Sequence, residues 1–417
     1  MIIINNTLGT YGGSITLIQR MCTRAVEQGI DIKIYSENIS NKEIVQKLKK
    51  FGVTIECFDT NNLFQLERHI IQDSKKGDLR IINFNLNNYL SIECLKKIKK
   101  LDIVNIIYSI HPATFFKGTG AVNVLYKTSI IKRYRQTIQK INSKGNVIFM
   151  DQDNIESTEK YYDFHFEKKP IIQALPMIFK PLDESVLDKK LSESYNRKII
   201  FTSCRADFPF KGYLFGLIAD FEILIKQYKD IKLCIVCSGD EENVIKIKNR
   251  IRQSPQEVQK QIDLHDWMSY EELLAKINCS YLYIGMGTGV LDAAIKYVPS
   301  IAVRYNTYEN LASCIFYEKP GQVVADEVCC RDAKYFIEKL LNLNYSDYKN
   351  ISKRSFKEAQ KIYDVQKFFN EVLSIPNSKS FLSIVDVIIH QINTYINSLK
   401  KKNYYDVNNI KYEGENG

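Results

Sequence analysis

The strongest constraint on this chain is a twice-repeated alternation of short apolar segments with amphipathic helical ones. MIIIN (1–5), DIKIYS (31–36), VTIECF (53–58), LRIINFN (79–85) and IVNIIYSIHP (103–112) read as strands. Helical patterns separate them. The first places Ile15, Ile18, Cys22 and Ala25 on one face, with Leu17 and Met21 alongside, and Gly29 marks its end. A second series runs through 198–206, 231–239, 279–285 and 299–305, again with helical patterns between. Strands joined by helical crossovers of this length form a parallel sheet. The reading is therefore α/β, with two Rossmann-like domains facing a cleft. No sequence repeat relates the halves. The segment 171–198 holds Pro176 and Pro181 and reads as the connection. From about 328 the pattern is helical without strands, and 381–402 is an apolar helix ending in Lys400, Lys401 and Lys402. The expected domains are 1–175, 196–345 and a C-terminal stretch of helices and tail at 346–417.

Composition narrows the classes. A length of 417 residues suits two domains, and a 45% hydrophobic share supports full cores. No apolar run approaches the roughly 18 residues of a membrane-spanning helix. The N-terminus lacks a basic segment followed by an apolar one, so a cytoplasmic location is expected. Ten cysteines are scattered along the chain, and the Cys234/Cys237 pair lies inside an apolar strand pattern, which reads as core thiols. Lys plus Arg exceed Asp plus Glu by 58 − 48 = 10, which calls for an anionic partner. From Ile103 to Met150 there is no acidic residue, while Lys117, Lys127, Lys132, Arg133, Arg135, Lys140 and Lys144 are all present. With Phe115, Phe116 and Leu125 interleaved, this span fits a lipid-phosphate acceptor or a membrane surface, or else a solvated helix face. It lacks any nucleic-acid-binding motif.

Open α/β sheets bind ligands at the C-terminal ends of their strands, so the loops there are the candidates. Leu8-Gly9-Thr10-Tyr11-Gly12-Gly13-Ser14 joins a strand to a helix and reads either as a phosphate loop or as a tight turn with a cap. Arg205 and Lys211-Gly212 follow the strand at 198–204; a planar fork and a mobile point charge together suit a diphosphate, or are ordinary surface cations. Gly285-Met286-Gly287-Thr288-Gly289-Val290 opens another helix, and Asp292 reads either as a ribose acceptor or as a carboxylate favoured by the helix dipole. His111 ends a strand and could bond a substrate or exchange a proton. No D-x-D signature or His/carboxylate cluster suggests a metal, and no cofactor is implied.

In this order the pieces resemble the retaining glycosyltransferases of the GT-B fold, in the family 4 group related to glycogen synthase. The resemblance covers roughly 1–375. It rests on Arg205-ADFPF-Lys211-Gly212, on Gly239-Asp240, on Met268-Ser269-Tyr270-Glu271-Glu272-Leu273, on Ile284-Gly285-Met286-Gly287 through Asp292, and on Pro299-Ser300-Ile301. Gly12-Gly13-Ser14 and His111 match the N-terminal half. It implies a metal-independent transfer, with retention, of a hexosyl group from a nucleotide sugar to a glycan or lipid-linked acceptor. Bacterial surface polysaccharide synthesis is the implied setting, with peripheral membrane contact. Arg205 and Lys211 would bind the diphosphate, and His111 would contact the sugar. Gly12, Gly13, Gly239, Gly287, Thr288, Gly289 and Val290 would line the donor. The segment around His265 would face the base, and Asp292 would hold the ribose. The basic residues Lys127, Lys132, Arg133 and Arg135 would face an acceptor or a membrane. Ile284 stands where the family has a glutamate. That departure keeps two alternatives open: a noncatalytic GT-B subunit that binds a partner transferase or glycoprotein, and a GT-B enzyme of other chemistry, such as a nucleotide-sugar epimerase.

Overall fold

The computed structural model describes residues 1–6, 8, 13–58, 62–75, 77–110, 114–115, 124–325 and 329–392. The chain forms two compact units, Met1–Pro176 with Val365–Gly417, and Met177–Asp364.

The first unit runs β1 (Ile2–Asn5), α1 (Gly13–Glu27), β2 (Ile32–Ser36), α2 (Lys42–Lys50), β3 (Thr54–Cys57), α3 (Leu63–Ser74), β4 (Leu79–Asn83), α4 (Leu86–Lys99), β5 (Ile103–Ser109), α5 (Val124–Ser143), β6 (Val147–Phe149), α6 (Gln152–Tyr162) and β7 (Ile171–Ile172). Its seven strands are all parallel, in the order β3-β2-β1-β4-β5-β6-β7. Every residue of β1, β2 and β5 is buried, as expected of parallel strands covered on both faces.

Two polar networks run through this apolar sheet. Asn5 donates to Asn83 at 3.0 Å, Asn83 to Asn105 at 2.8 Å, and Asn105 to Glu93 at 2.9 Å, which ties β1, β4 and β5 to α4. On the same face, toward β2 and β3, Lys33 Nζ lies 2.7 Å from both Asp73 and Glu56, and Tyr35 Oη donates to Asp73 at 2.6 Å. Burial alone would lower the pKa of the Lys33 ammonium, but its bonds to Asp73 and Glu56 outweigh this and the net shift is upward.

The second unit runs α7 (Glu184–Arg197), β8 (Ile199–Ala206), α8 (Tyr213–Gln227), β9 (Lys232–Gly239), α9 (Glu241–Arg252), α10 (Gln256–Gln259), β10 (Ile262–His265), α11 (Tyr270–Asn278), β11 (Leu282–Gly285), α12 (Thr288–Ile295), β12 (Ser300–Val303), β13 (Leu311–Ile315), β14 (Arg331–Asp332), α13 (Ala333–Leu341) and α14 (Tyr345–Tyr363). The strand order is β10-β9-β8-β11-β12-β13-β14. The first five strands are parallel, and β13 and β14 are antiparallel additions at one edge.

Three sequence expectations change. The connecting segment 171–198 is not a bare linker: it supplies β7 and α7, and α7 is held to α14 by Tyr345 and Lys349, each 2.7 Å from Asp188 Oδ1. The stretch after 328 is not wholly helical, because Arg331–Asp332 pairs with β13; two exposed charged residues give no apolar signature of a strand. The C-terminal helices do not stand apart either. α14 stays with the second unit, where Tyr348 stacks on Tyr281 with centroids 4.5 Å apart. α15 (Val365–Ser374) returns to the first unit. There Phe368 meets Tyr108 at 4.9 Å, and Arg80 donates to the carbonyls of Val372 and Ile375 at 2.7 and 2.8 Å. A final described helix, α16, spans 384–392. Lys400, Lys401 and Lys402 lie outside the described residues.

Removing Asp73 would leave Lys33 with the half-buried Glu56 as its partner and Tyr35 Oη with no hydrogen-bond partner among the described residues. We expect Asp73→Ala to destabilise the first unit by about 3 kcal/mol, the lower end for breaking a buried ion pair, since Glu56 remains. Urea unfolding checks this, and a loss below about 1 kcal/mol, the level of an exposed pair, would show the network to be dispensable.

Candidate functional site

Most of the donor-side residues singled out in the sequence gather at one edge of the second sheet. From β8 the chain steps outward through β9 to β10, then returns to the other side of β8 at β11. Connections therefore diverge between β8 and β11, which opens a crevice beyond their C-terminal ends. Arg205 and Lys211 come from the end of β8, Gly239 from the end of β9, His265 from the end of β10, and Gly287–Val290 from the segment after β11.

Arg205 lies within β8, since that strand runs to Ala206, in register with Ser238. Its side chain is exposed and has no hydrogen bond or ion pair among the described residues. Lys211 is half-buried on the following turn, with its amide donating to the Asp207 carbonyl at 2.6 Å and its Nζ 4.9 Å from the Phe210 ring centroid. Burial pushes the Lys211 ammonium down to about 8; Arg205 adds to this, and Cys204 and Asp207 oppose it. A strand-borne guanidinium and a partly dehydrated ammonium thus sit side by side without a compensating carboxylate bond, an arrangement that an anion would relieve.

Gly239 leads into Asp240, which caps α9 by accepting from the Glu242 amide at 2.9 Å, while Asn243 Nδ2 donates to the Ala206 carbonyl at 3.1 Å. These contacts fix the β8 end next to α9. His265 is half-buried, with Nε2 3.5 Å from Lys276 Nζ. Two residues on is Trp267, the only tryptophan of the chain, 61% exposed on the loop after β10. The family resemblance points to His265 and not to Trp267. A lone aromatic in a turn at the ligand-binding edge was the available signal for Trp267.

The Gly-rich turn has a largely internal explanation. Gly287 has φ +67°, a conformation L side chains rarely adopt, and its amide donates to the Val323 carbonyl at 2.7 Å, so it is not free for phosphate. The first amides of α12, those of Thr288 and Gly289, have no carbonyl of their own helix to bond. A Cβ on Gly289 would lie 2.0 Å from Tyr283 Oη, and one on Gly285 would lie 2.7 Å away. The buried Tyr283 phenol, 3.2 Å from Ser203 Oγ, occupies the space those side chains would need. Val290 is fully buried in the core.

Asp292 falls beyond the first turn of α12, which begins at Thr288 and carries no acid there. It is buried and accepts from Tyr270 Oη at 2.7 Å, so its first role is to join α11 to α12. Ile284 lies inside β11 opposite Ile301, fully buried in the apolar core.

The first-unit candidates are dispersed. Gly12 and His111 lie outside the described residues, and Gly13 begins α1. Lys127 lies on α5, where Lys132 is exposed. Arg133 is paired with Asp386 of α16, and Arg135 Nε donates to the Tyr162 carbonyl at 2.8 Å. Both arginines thus hold parts of the first unit together. Among the described residues no group of three or more His, Cys, Asp or Glu side chains is placed to hold a metal ion. No helix among them is long and apolar enough to cross a membrane.

This architecture is the GT-B fold, two Rossmann-like units each built on a mainly parallel seven-stranded sheet. Solved structures share it at low sequence identity. Anabaena HepE in complex with UDP-glucose aligns over 89% of this chain and 98% of its own, at TM-score 0.56 and 10% identity. A glycosyltransferase from Rickettsia africae aligns over 90% and 99%, at 0.58 and 12%. A variant of S. aureus TarM in complex with fondaparinux, alpha-GlcNAc-glycerol and UDP aligns over 91% and 99%, at 0.55 and 12%. No family model matches the sequence, and no curated protein matches it.

Gly289→Ala forces a methyl group into the Tyr283 phenol, and overpacking of this kind costs about 1–3 kcal/mol. We expect that loss in urea unfolding, and a smaller one when Tyr283→Leu is already present. Equal losses in both backgrounds would show that Tyr283 is not the reason for the glycine.

Proposed function

We propose that this chain is a retaining glycosyltransferase that moves a sugar from a nucleotide-sugar donor to a glycan or lipid-linked acceptor. The carrying observation is the Arg205–Lys211 pair at the divergence of the second sheet: one cation free of partners among the described residues, the other held partly dehydrated beside it. Breaking a sugar–phosphate bond places negative charge on the departing diphosphate. Two preorganised cations stabilise that charge in the transition state more than in the ground state. In this reading they supply it without a metal, and the Thr288 and Gly289 amides, which have no partner within α12, add neutral donors. Trp267 offers a flat apolar face to the base. That UDP or UDP-glucose occupies solved structures of this fold supports a nucleotide donor.

Equilibrium binding of UDP and of UDP-sugars, read by quenching of Trp267, tests this. Charge-assisted hydrogen bonds contribute about 1.5–3 kcal/mol each, so Arg205→Ala and Lys211→Ala should each weaken UDP by about 10–100-fold. The diphosphate binds protonated Lys211 and raises its pKa, so affinity is constant below the free-protein value of about 8 and falls above it. The fall is up to about tenfold per pH unit, and Lys211→Arg should remove it, because a guanidinium stays charged. If no nucleoside diphosphate binds, the transferase reading is wrong.

The second reading is a noncatalytic GT-B subunit, favoured by the burial of Ile284, which leaves no carboxylate at that position. Donor binding without transfer or donor hydrolysis would select it.

We also propose that the first unit rests on an anionic membrane surface. α16 exposes Ile384, Val385, Ile388 and Ile392, while Leu382 and Val387 are buried. Arg133 links it to α5, where Lys132 and Lys140 are exposed. Apolar side chains beside cations suit an interface. Co-sedimentation should be stronger with vesicles containing phosphatidylglycerol than with phosphatidylcholine alone, and Ile388→Asp should weaken it. Indifference to lipid charge would refute this part.

A further inference from the structure

A second concave site lies behind the cation-bearing turn. The first turns of α8, the segment 308–311 and Asp332 of β14 enclose an open groove of about 480 Å3. Phe215 and Tyr308 form an aromatic wall, edge to face with centroids 5.4 Å apart, and Tyr308 is 54% exposed. Asp220 is nine-tenths buried, and Asn310 Nδ2 donates to its Oδ2 at 2.8 Å. Asn310 is buried too, and its Oδ1 has no hydrogen-bond partner among the described residues. Glu309 and Asp332 complete the polar lining. The side chains lining the groove therefore offer carboxylate and carbonyl acceptors and aromatic faces; none of them carries a positive charge.

We propose that this groove is a binding site for an organic ammonium group, such as that of an amino sugar or a polyamine. An ammonium brings three N–H donors, which the carboxylates of Asp220, Glu309 and Asp332 can accept. Aromatic faces attract cations within about 6 Å, so the Phe215–Tyr308 wall favours a charged amine over a neutral hydroxyl. The charge around Asp220 fits. Burial pushes its carboxyl up to about 7, Asn310 opposes this, Asp332 and Glu338 push it further up, and Lys334 pulls it down. With Glu309 at the rim, Lys334 is the cation that acts on Asp220, and it also lies 4.0 Å from Asp332. A bound ammonium would favour the ionised carboxyl, so binding at pH 7 should release a fraction of a proton from Asp220 to the buffer.

Calorimetric titration of the full chain tests this with four probes: glucosamine and spermidine as the two sources of the amine, glucose and N-acetylglucosamine as uncharged controls. We expect saturable binding of at least one amine and of neither control. The binding enthalpy should differ between buffers of different ionisation enthalpy. Asp220→Asn should abolish that difference and weaken binding at least tenfold; Tyr308→Ala, at an exposed position, should weaken it while leaving the fold unchanged. Spermidine alone would assign a polyamine site, and glucosamine alone an amino-sugar site. The proposal is overturned if neither amine binds, if glucose binds as well as glucosamine, or if both variants bind like the parent. UDP binding is measured in parallel, so failure here is separable from failure of the transferase reading.

Discussion

The backbone contact between α8 and the segment 307–310 underlies the whole candidate site. A Cβ on Gly216 would lie 2.3 Å from the Asn310 amide nitrogen, and one on Gly212 would lie 2.6 Å from the Thr307 carbonyl oxygen. No side chain fits between these two stretches, so the helix and the segment approach as bare backbones. The Asn306 amide donates to the Phe210 carbonyl at 3.2 Å, which fastens the same segment to the turn carrying Lys211. One contact therefore sets both the position of the Lys211 turn and the floor of the acidic groove. Phe215 links them physically, touching Phe208 of the turn and Tyr308 of the groove with centroids 5.1 and 5.4 Å apart.

This arrangement explains why opposite charges can lie so close without cancelling. Arg205 and Lys211 face the end of the sheet, whereas Asp220 lies further along α8 and Asp332 at the antiparallel edge. Asp207 is the nearest acid to act on Lys211, and even so the net shift of the ammonium is downward. The site holds its two cations without a carboxylate bond, and the groove gathers more carboxylates than the one cation, Lys334, that acts on them. Each state is costly in an isolated protein and is relieved by a ligand of the opposite sign. The same reasoning separates these regions from the first unit, where Lys33, Asp73 and Glu56 are matched internally and serve stability.

The fold was legible because parallel strands are long apolar runs and the helices between them are periodic: β1, β2, β5, β8 and β9 all lie within the segments read as strands. β7 and β14 were not legible, since two-residue strands pair through backbone alone and leave no side-chain pattern. Arg205, Lys211 and the end of β9 were legible as residues at strand termini, because a parallel sheet collects all such termini on one edge, whereas β10 was not read as a strand and His265 came only from the family resemblance. Partnership was not. That Gly289 makes room for Tyr283, that Asp292 receives Tyr270 and that Arg133 is spent on Asp386 depend on side chains distant in sequence. The Gly-rich turn is the instructive case. Its composition suggests phosphate, yet two of its glycines are required by a tyrosine and a third by a left-handed backbone.

Ile284 carries the same lesson further. As a residue on a loop it would be a missing sugar contact. In the structure it belongs to β11, opposite Ile301 of β12 and fully buried in the core. A glutamate there would be a carboxylate without water or a described cation beside it, and such a group takes up a proton or unfolds its surroundings. Restoring the acid in this chain would therefore not restore a sugar-binding group. If a sugar is held, its hydroxyls must be read by other side chains, and the second sheet offers the donors Arg205, Lys211 and the α12 amides near its switch point, with Asp207 as a nearby carboxylate. Discrimination among donors would then rest on how these groups grip the diphosphate and on residues from other loops, not on the position at which the family resemblance is weakest.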